Sequence, residues 1–90
     1  MEPQAVLDAL LVLAEEAGWR VKRVPADAGE PELSVRSGLC HLRGQTWLLI
    51  AAGDSLEERI RAVAVALCQE VPELLEARFL PPAVRARLIP

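Results

Sequence analysis

The chain has 90 residues, 52% of them hydrophobic and 26% charged, with a formal net charge of −3. That composition belongs to one globular domain spanning residues 1–90 around a single core, and it excludes a disordered chain. It also offers no positive field that would gather phosphates, so nucleic acid is not an expected partner.

The longest apolar runs, Ala9 to Ala14 and Ala62 to Cys68, fall far short of the roughly 20 residues a membrane span needs, so no membrane partner is expected. Glu2 and Asp8 stand where a signal peptide carries basic residues, and a cytoplasmic location is the expectation that follows. In that setting Cys40 and Cys68 are expected as reduced, buried thiols. Lys22 is the only lysine and asparagine is absent, a usage that fits a GC-rich or heat-adapted source.

Glu2-Pro3 opens a first helix, because proline at the first helical position has no N–H to leave unpaired. Val6, Leu10, Leu13 and Ala17 recur at helical spacing, Leu7, Leu11 and Ala14 widen the stripe, and Asp8, Glu15 and Glu16 fall toward solvent. Gly18 ends the helix as a left-handed cap. Trp19-Arg20-Val21-Lys22 then alternates apolar and polar, the period of a half-buried strand. Arg23-Val24 breaks the alternation, which predicts a bulge or an early end. Pro25 to Glu32 reads as a polar loop, and Leu33 to Arg36 as a frayed strand start interrupted by Ser37-Gly38.

Leu39 to Arg43 and Thr46 to Ala52 are expected to form a hairpin closed by a type II′ turn at Gly44-Gln45. In that register Leu42 faces Trp47, His41 faces Leu48 and Cys40 faces Leu49. One face then carries Cys40, Leu42, Trp47 and Leu49, wholly apolar and expected under the helices. The other carries Leu39, His41, Arg43, Thr46, Leu48 and Ile50, a mixed face too apolar for full exposure to water.

Asp54 or Ser55 caps the next helix, and Ser55 with Glu58 forms a capping box. Leu56, Ile60, Val63 and Leu67 make its core stripe, and the unbroken apolar run from Ala62 to Cys68 predicts a central helix enclosed on more than one side. Val71-Pro72 stops it. Short helices follow at Pro72, with Leu74 and Leu75, and at Pro81-Pro82, with Val84 and Leu88. The fold class is therefore α+β: an N-terminal helix, a three- to four-stranded, mainly antiparallel sheet, then a central helix and short C-terminal helices on one face.

Cys40, His41 and Cys68 are the only soft metal ligands in the sequence, where a zinc site usually wants four. Neighbours on a strand point to opposite faces, so Cys40 and His41 do not readily share an ion, and Cys40 turns away from the one base that would activate it. The serines Ser34, Ser37 and Ser55 have turn or cap roles, and Glu15-Glu16 and Glu57-Glu58 lie at helix ends on solvent. Gly38, Gly44 and Gly53 are isolated turn glycines rather than a phosphate loop. Arg20, Lys22 and Arg23 beside Trp19, with Arg85 and Arg87, form the basic clusters; they read as solvated edge charges that discourage strand pairing.

The stretch TWLLIAAGDSLEERIRAVAVALCQE, residues 46–70, resembles the strand, turn and helix of the zinc-peptidase (zincin) core. In that family the helix carries His-Glu-x-x-His, two metal ligands one turn apart with a catalytic Glu. The corresponding positions here read Val65-Ala66-Leu67-Cys68-Gln69, so every metal-binding and catalytic residue is missing. The resemblance covers under a third of the chain and implies a zincin-like scaffold without zincin chemistry. The hairpin LCHLRG also resembles that of small bacterial proteins to which no activity attaches.

The functional expectation is a non-catalytic cytoplasmic domain without cofactor or metal. It would act by association, with itself as a homodimer or with another protein, through Leu39, His41, Leu48 and Ile50. The alternative is a small metal-binding protein or enzyme using Cys40, His41 and Cys68.

Overall fold

The computed structural model describes residues 1–25 and 36–88. Helix α1 (Pro3–Glu16) leads into strand β1 (Arg20–Val24); strands β2 (Gly38–Leu42) and β3 (Gln45–Ala51) follow, then helices α2 (Leu56–Glu70), α3 (Pro72–Ala77) and α4 (Pro82–Arg87). The α+β class stands. Among the described residues the sheet has three strands in the order β1-β3-β2. It is mixed rather than mainly antiparallel: β3 runs parallel to β1 and antiparallel to β2. The expected loop from Pro25 to Glu32 and the strand start from Leu33 fall largely outside the described residues.

Local chemistry sets the helix ends. Pro3 occupies the first turn of α1, and Val6, Leu7, Leu10, Leu11, Leu13 and Ala14 are its buried stripe. At its C-terminus Gly18 takes φ +86°, the Gly18 N–H donates to Glu15 O and the Trp19 N–H to Ala14 O. Those two bonds complete a Schellman cap and turn the chain straight into β1. The capping box of α2 is formed as the spacing predicts, with Glu58 N–H donating to Ser55 Oγ and Ser55 N–H to Glu58 Oε1.

The core lies between α1, α2 and one face of the sheet, and α4 closes it by burying Val84. Burial of side chains the size of Leu7, Leu10, Ile60 and Leu67 contributes about 1.5–3 kcal/mol each. Two surface ion pairs tie the short helices down: Arg78 to Glu16 at 2.7 Å, and Arg87 to Glu57 through two hydrogen bonds. The exit of β3 is pinned by side chains: Ser37 Oγ accepts from Ala51 N–H, while Arg59 donates to the carbonyls of Ala51 and Ala52. Among the described residues no helix is long and apolar enough to cross a membrane.

Two local expectations are corrected. The hairpin turn is Arg43-Gly44, both at positive φ (53° and 76°), the signature of a type I′ turn, so Leu42 pairs with Gln45 and Cys40 with Trp47. Strand β1 runs on through Arg23 to Val24, which pairs with Ala51, so it has neither an early end nor a bulge. The central helix α2 is enclosed on more than one side, as its apolar run predicts, by α1, the sheet and the short C-terminal helices, with Val65 left 46% exposed.

Candidate functional site

The register differs by two residues from the expected one, and because the side-chain period of a strand is also two, the membership of each sheet face is unchanged. What inverts is which face is covered. Leu48 and Ile50 are 0% and 2% exposed and sit in the core with Leu39 packed against them, so they are not an association surface. The expected interface of Leu39, His41, Leu48 and Ile50 is therefore the inner face. The reason lies in where its polar residues fall. His41 and Thr46 are at the hairpin end, where Nδ1 of His41 meets Thr46 Oγ1 at 3.0 Å and Nε2 lies 3.6 Å from Glu70. The mixed face can thus be covered along its apolar half without burying them.

The outer face is built from alternate residues of all three strands. Strand β3 contributes Trp47 and Leu49, β2 contributes Cys40 and Leu42, and β1 contributes Arg20, Lys22 and Val24. Leu42 is 58% exposed and Cys40 is exposed, while Trp47 and Leu49 are half-buried by their neighbours in the sheet. The guanidinium of Arg20 lies over the Trp47 ring, 5.6 Å from its centroid, a cation–π arrangement. None of the strand positions on this face carries a carboxylate, although the chain as a whole is acidic. The result is an apolar strip with two cations along one side.

The candidate chemical residues are dispersed. Cys40 lies on the outer face and is exposed rather than buried; Cys68 is half-buried on α2, on the other side of the sheet, where its thiol donates to Leu88 O at 3.1 Å. His41 points to the inner side. Among the described residues no group of three or more His, Cys, Asp or Glu side chains is placed to hold a metal ion. Of the expected basic cluster, Trp19 turns into the core and Arg20 instead meets Trp47.

Sequence reasoning missed Phe79, 91% exposed between α3 and α4, and a groove between β2 and α2. Neither leaves a periodic signal, because both depend on how separate elements meet. Compared with protein-family models, curated proteins and solved structures, the chain has no match.

Proposed function

We propose that the chain is a non-catalytic association module that meets a partner protein through the outer face of its sheet. The observation that carries this reading is the grouping of Trp47, Leu49 and Leu42 on the side of the sheet away from the helices, edged by Arg20 and Lys22. Tryptophan and arginine are the residues most often found at the energetic centres of protein interfaces. Apolar patches of a few hundred Å² on the surface of a domain are often functional contacts.

Charge decides the kind of partner. In a two-fold contact the same patch would face itself, and this patch has cations but no strand carboxylate to answer them. A partner presenting apolar side chains flanked by carboxylates fits better than a second copy. Three strands about 4.8 Å apart and five residues long span roughly 240 Å² of sheet. That is well below the roughly 800 Å² per partner of a standard interface, so the contact is small and transient or continues past the sheet.

A cytoplasmic, reducing setting belongs to the same reading, because it keeps the exposed Cys40 a thiol. So does the likeness to a zincin core whose metal-binding positions hold Val65, Ala66, Leu67, Cys68 and Gln69. The test is paired capture from the native cell, with the wild-type chain and an Arg20→Glu/Trp47→Ser variant as baits. Proteins enriched by the wild type and lost by the variant are the expected result. Identical catches would remove the outer face from consideration, and a dimer in light scattering that the variant abolishes would replace the partner with a second copy.

A further inference from the structure

A groove of about 680 Å³ runs between β2 and α2. Its floor is Leu39 from the strand and Ala62, Val65 and Ala66 from the helix. Among the described residues strand β2 is an edge of the sheet, and the register says which of its backbone groups point away from β3. In a hairpin with a two-residue turn the closing pair exchanges both hydrogen bonds, and the pattern alternates from there. Leu42↔Gln45, Cys40↔Trp47 and Gly38↔Leu49 are thus the bonded pairs, and the N–H and C=O groups of Leu39 and His41 point away from β3, off the sheet. Among the described residues no strand pairs with them.

The charges at the two ends of the groove differ. At the Gly38 end Asp54 and Glu58 are engaged internally, Asp54 accepting from Ser37 N–H at 2.8 Å and Glu58 from Ser55 N–H at 2.9 Å. Arg36 and Arg61 line the same end without a direct ion pair among the described residues; Arg36 helps to hold Asp54 and Glu58 below their ordinary values, whereas Arg61 is not among the charges acting on either. At the other end stands Glu70, beside His41.

We infer that this groove takes an extended peptide segment of a partner, added as a fourth strand along β2, with apolar side chains on Leu39 and Val65 and a carboxylate at the Arg36–Arg61 end. Four outward backbone groups supply strand pairing, the apolar floor takes alternate side chains, and the charged ends set direction. The site is distinct from the outer face and does not depend on it.

The test uses two blocked peptides, Lys-Val-Thr-Val-Thr-Val-Asp and Asp-Val-Thr-Val-Thr-Val-Lys, which place the acid at the Arg36–Arg61 end for antiparallel and parallel addition respectively. Titration is followed by amide NMR. One of the two is expected to shift the Leu39, His41 and Val65 signals with a dissociation constant of about 1 mM or tighter. Arg61→Glu, an exposed change, is expected to weaken that binding about tenfold, and His41→Pro, which deletes one outward N–H, to weaken it further. In the free protein the Leu39 and His41 amides should exchange with solvent much faster than Cys40. The inference is overturned if neither peptide moves those signals, if Arg61→Glu binds as well as wild type, or if the Leu39 and His41 amides are as protected as Cys40.

Discussion

Arg20 and Trp47 stand directly opposite each other in the parallel β1–β3 ladder, and the guanidinium carbon lies 5.6 Å from the centre of the indole. The pair joins the two strands on the face that the helices leave uncovered. It sets a large aromatic side chain beside a cation on one face of the sheet.

A cation–π pair at an exposed site contributes about 0.5–1 kcal/mol. A double-mutant cycle with Arg20→Ala and Trp47→Leu, read from urea unfolding, should therefore show coupling of about that size. Strict additivity would mean that the two side chains do not interact in solution.

The inverted faces have a sharp consequence for neighbouring residues. Leu48 is fully buried and Leu49 only half-buried on the outer side. Leu48→Ala should cost about 2–5 kcal/mol, in the range of large-to-small core changes, and Leu49→Ala about 1 kcal/mol. The reverse order in denaturant midpoints would restore the face assignment expected from apolar content alone.

Arg43 sits at φ 53°, a left-handed conformation that costs a side-chain-bearing residue about 1 kcal/mol. Arg43→Asn, which suits the first position of a type I′ turn, should raise stability by about 0.5–1 kcal/mol. Gly44→Ala should lower it by about 1 kcal/mol. Thermal unfolding of the two variants reads both signs.

Two carboxyls at the start of α2 are held below their ordinary values, Asp54 first by the backbone N–H of Ser37 and Glu58 first by the backbone N–H of Ser55. A depressed folded value means stability that is fully present above the ordinary carboxylate range, at about pH 4, and is lost as pH falls through the lowered values. Urea midpoints should therefore drop below about pH 4, and Asp54→Asn should flatten that drop while leaving the fold intact. A variant as acid-sensitive as the wild type would show that Asp54 contributes nothing to it.

Features closed within a few residues were legible before any coordinates: the Gly18 cap, the Ser55–Glu58 box, the proline-started helices α3 and α4, and the strand and helix flanking residues 52–55. Each depends on chemistry local to the turn. The hairpin register was not legible, because Arg43 gives no sign that it will take a left-handed conformation, and placing Gly44 first or second in the turn moves every pair. The pairing of β1 with β3 was hidden for another reason: it joins residues 27 positions apart in the sequence, such as Arg20 and Trp47, and no turn chemistry local to either strand signals it. The β2 and β3 residues of the outer face, Cys40, Leu42, Trp47 and Leu49, were recognised as one strip, yet apolar content assigned them to the core, and the β1 residues Arg20, Lys22 and Val24 were not placed beside them. The polar residues of the opposite face escape burial at the hairpin end, which a face-by-face count does not register.

The position of Cys40 offers the most direct test of the outer face as a contact surface. Alkylation by iodoacetamide, followed by mass spectrometry, reports Cys40 and Cys68 separately in one sample. In the purified protein Cys40 should label readily and Cys68, bonded to Leu88 O, more slowly. In native extract containing the partner, labelling of Cys40 should slow while that of Cys68 stays the same. A Cys40 that is shielded in the isolated chain, or that labels equally fast in buffer and in extract, would contradict the account.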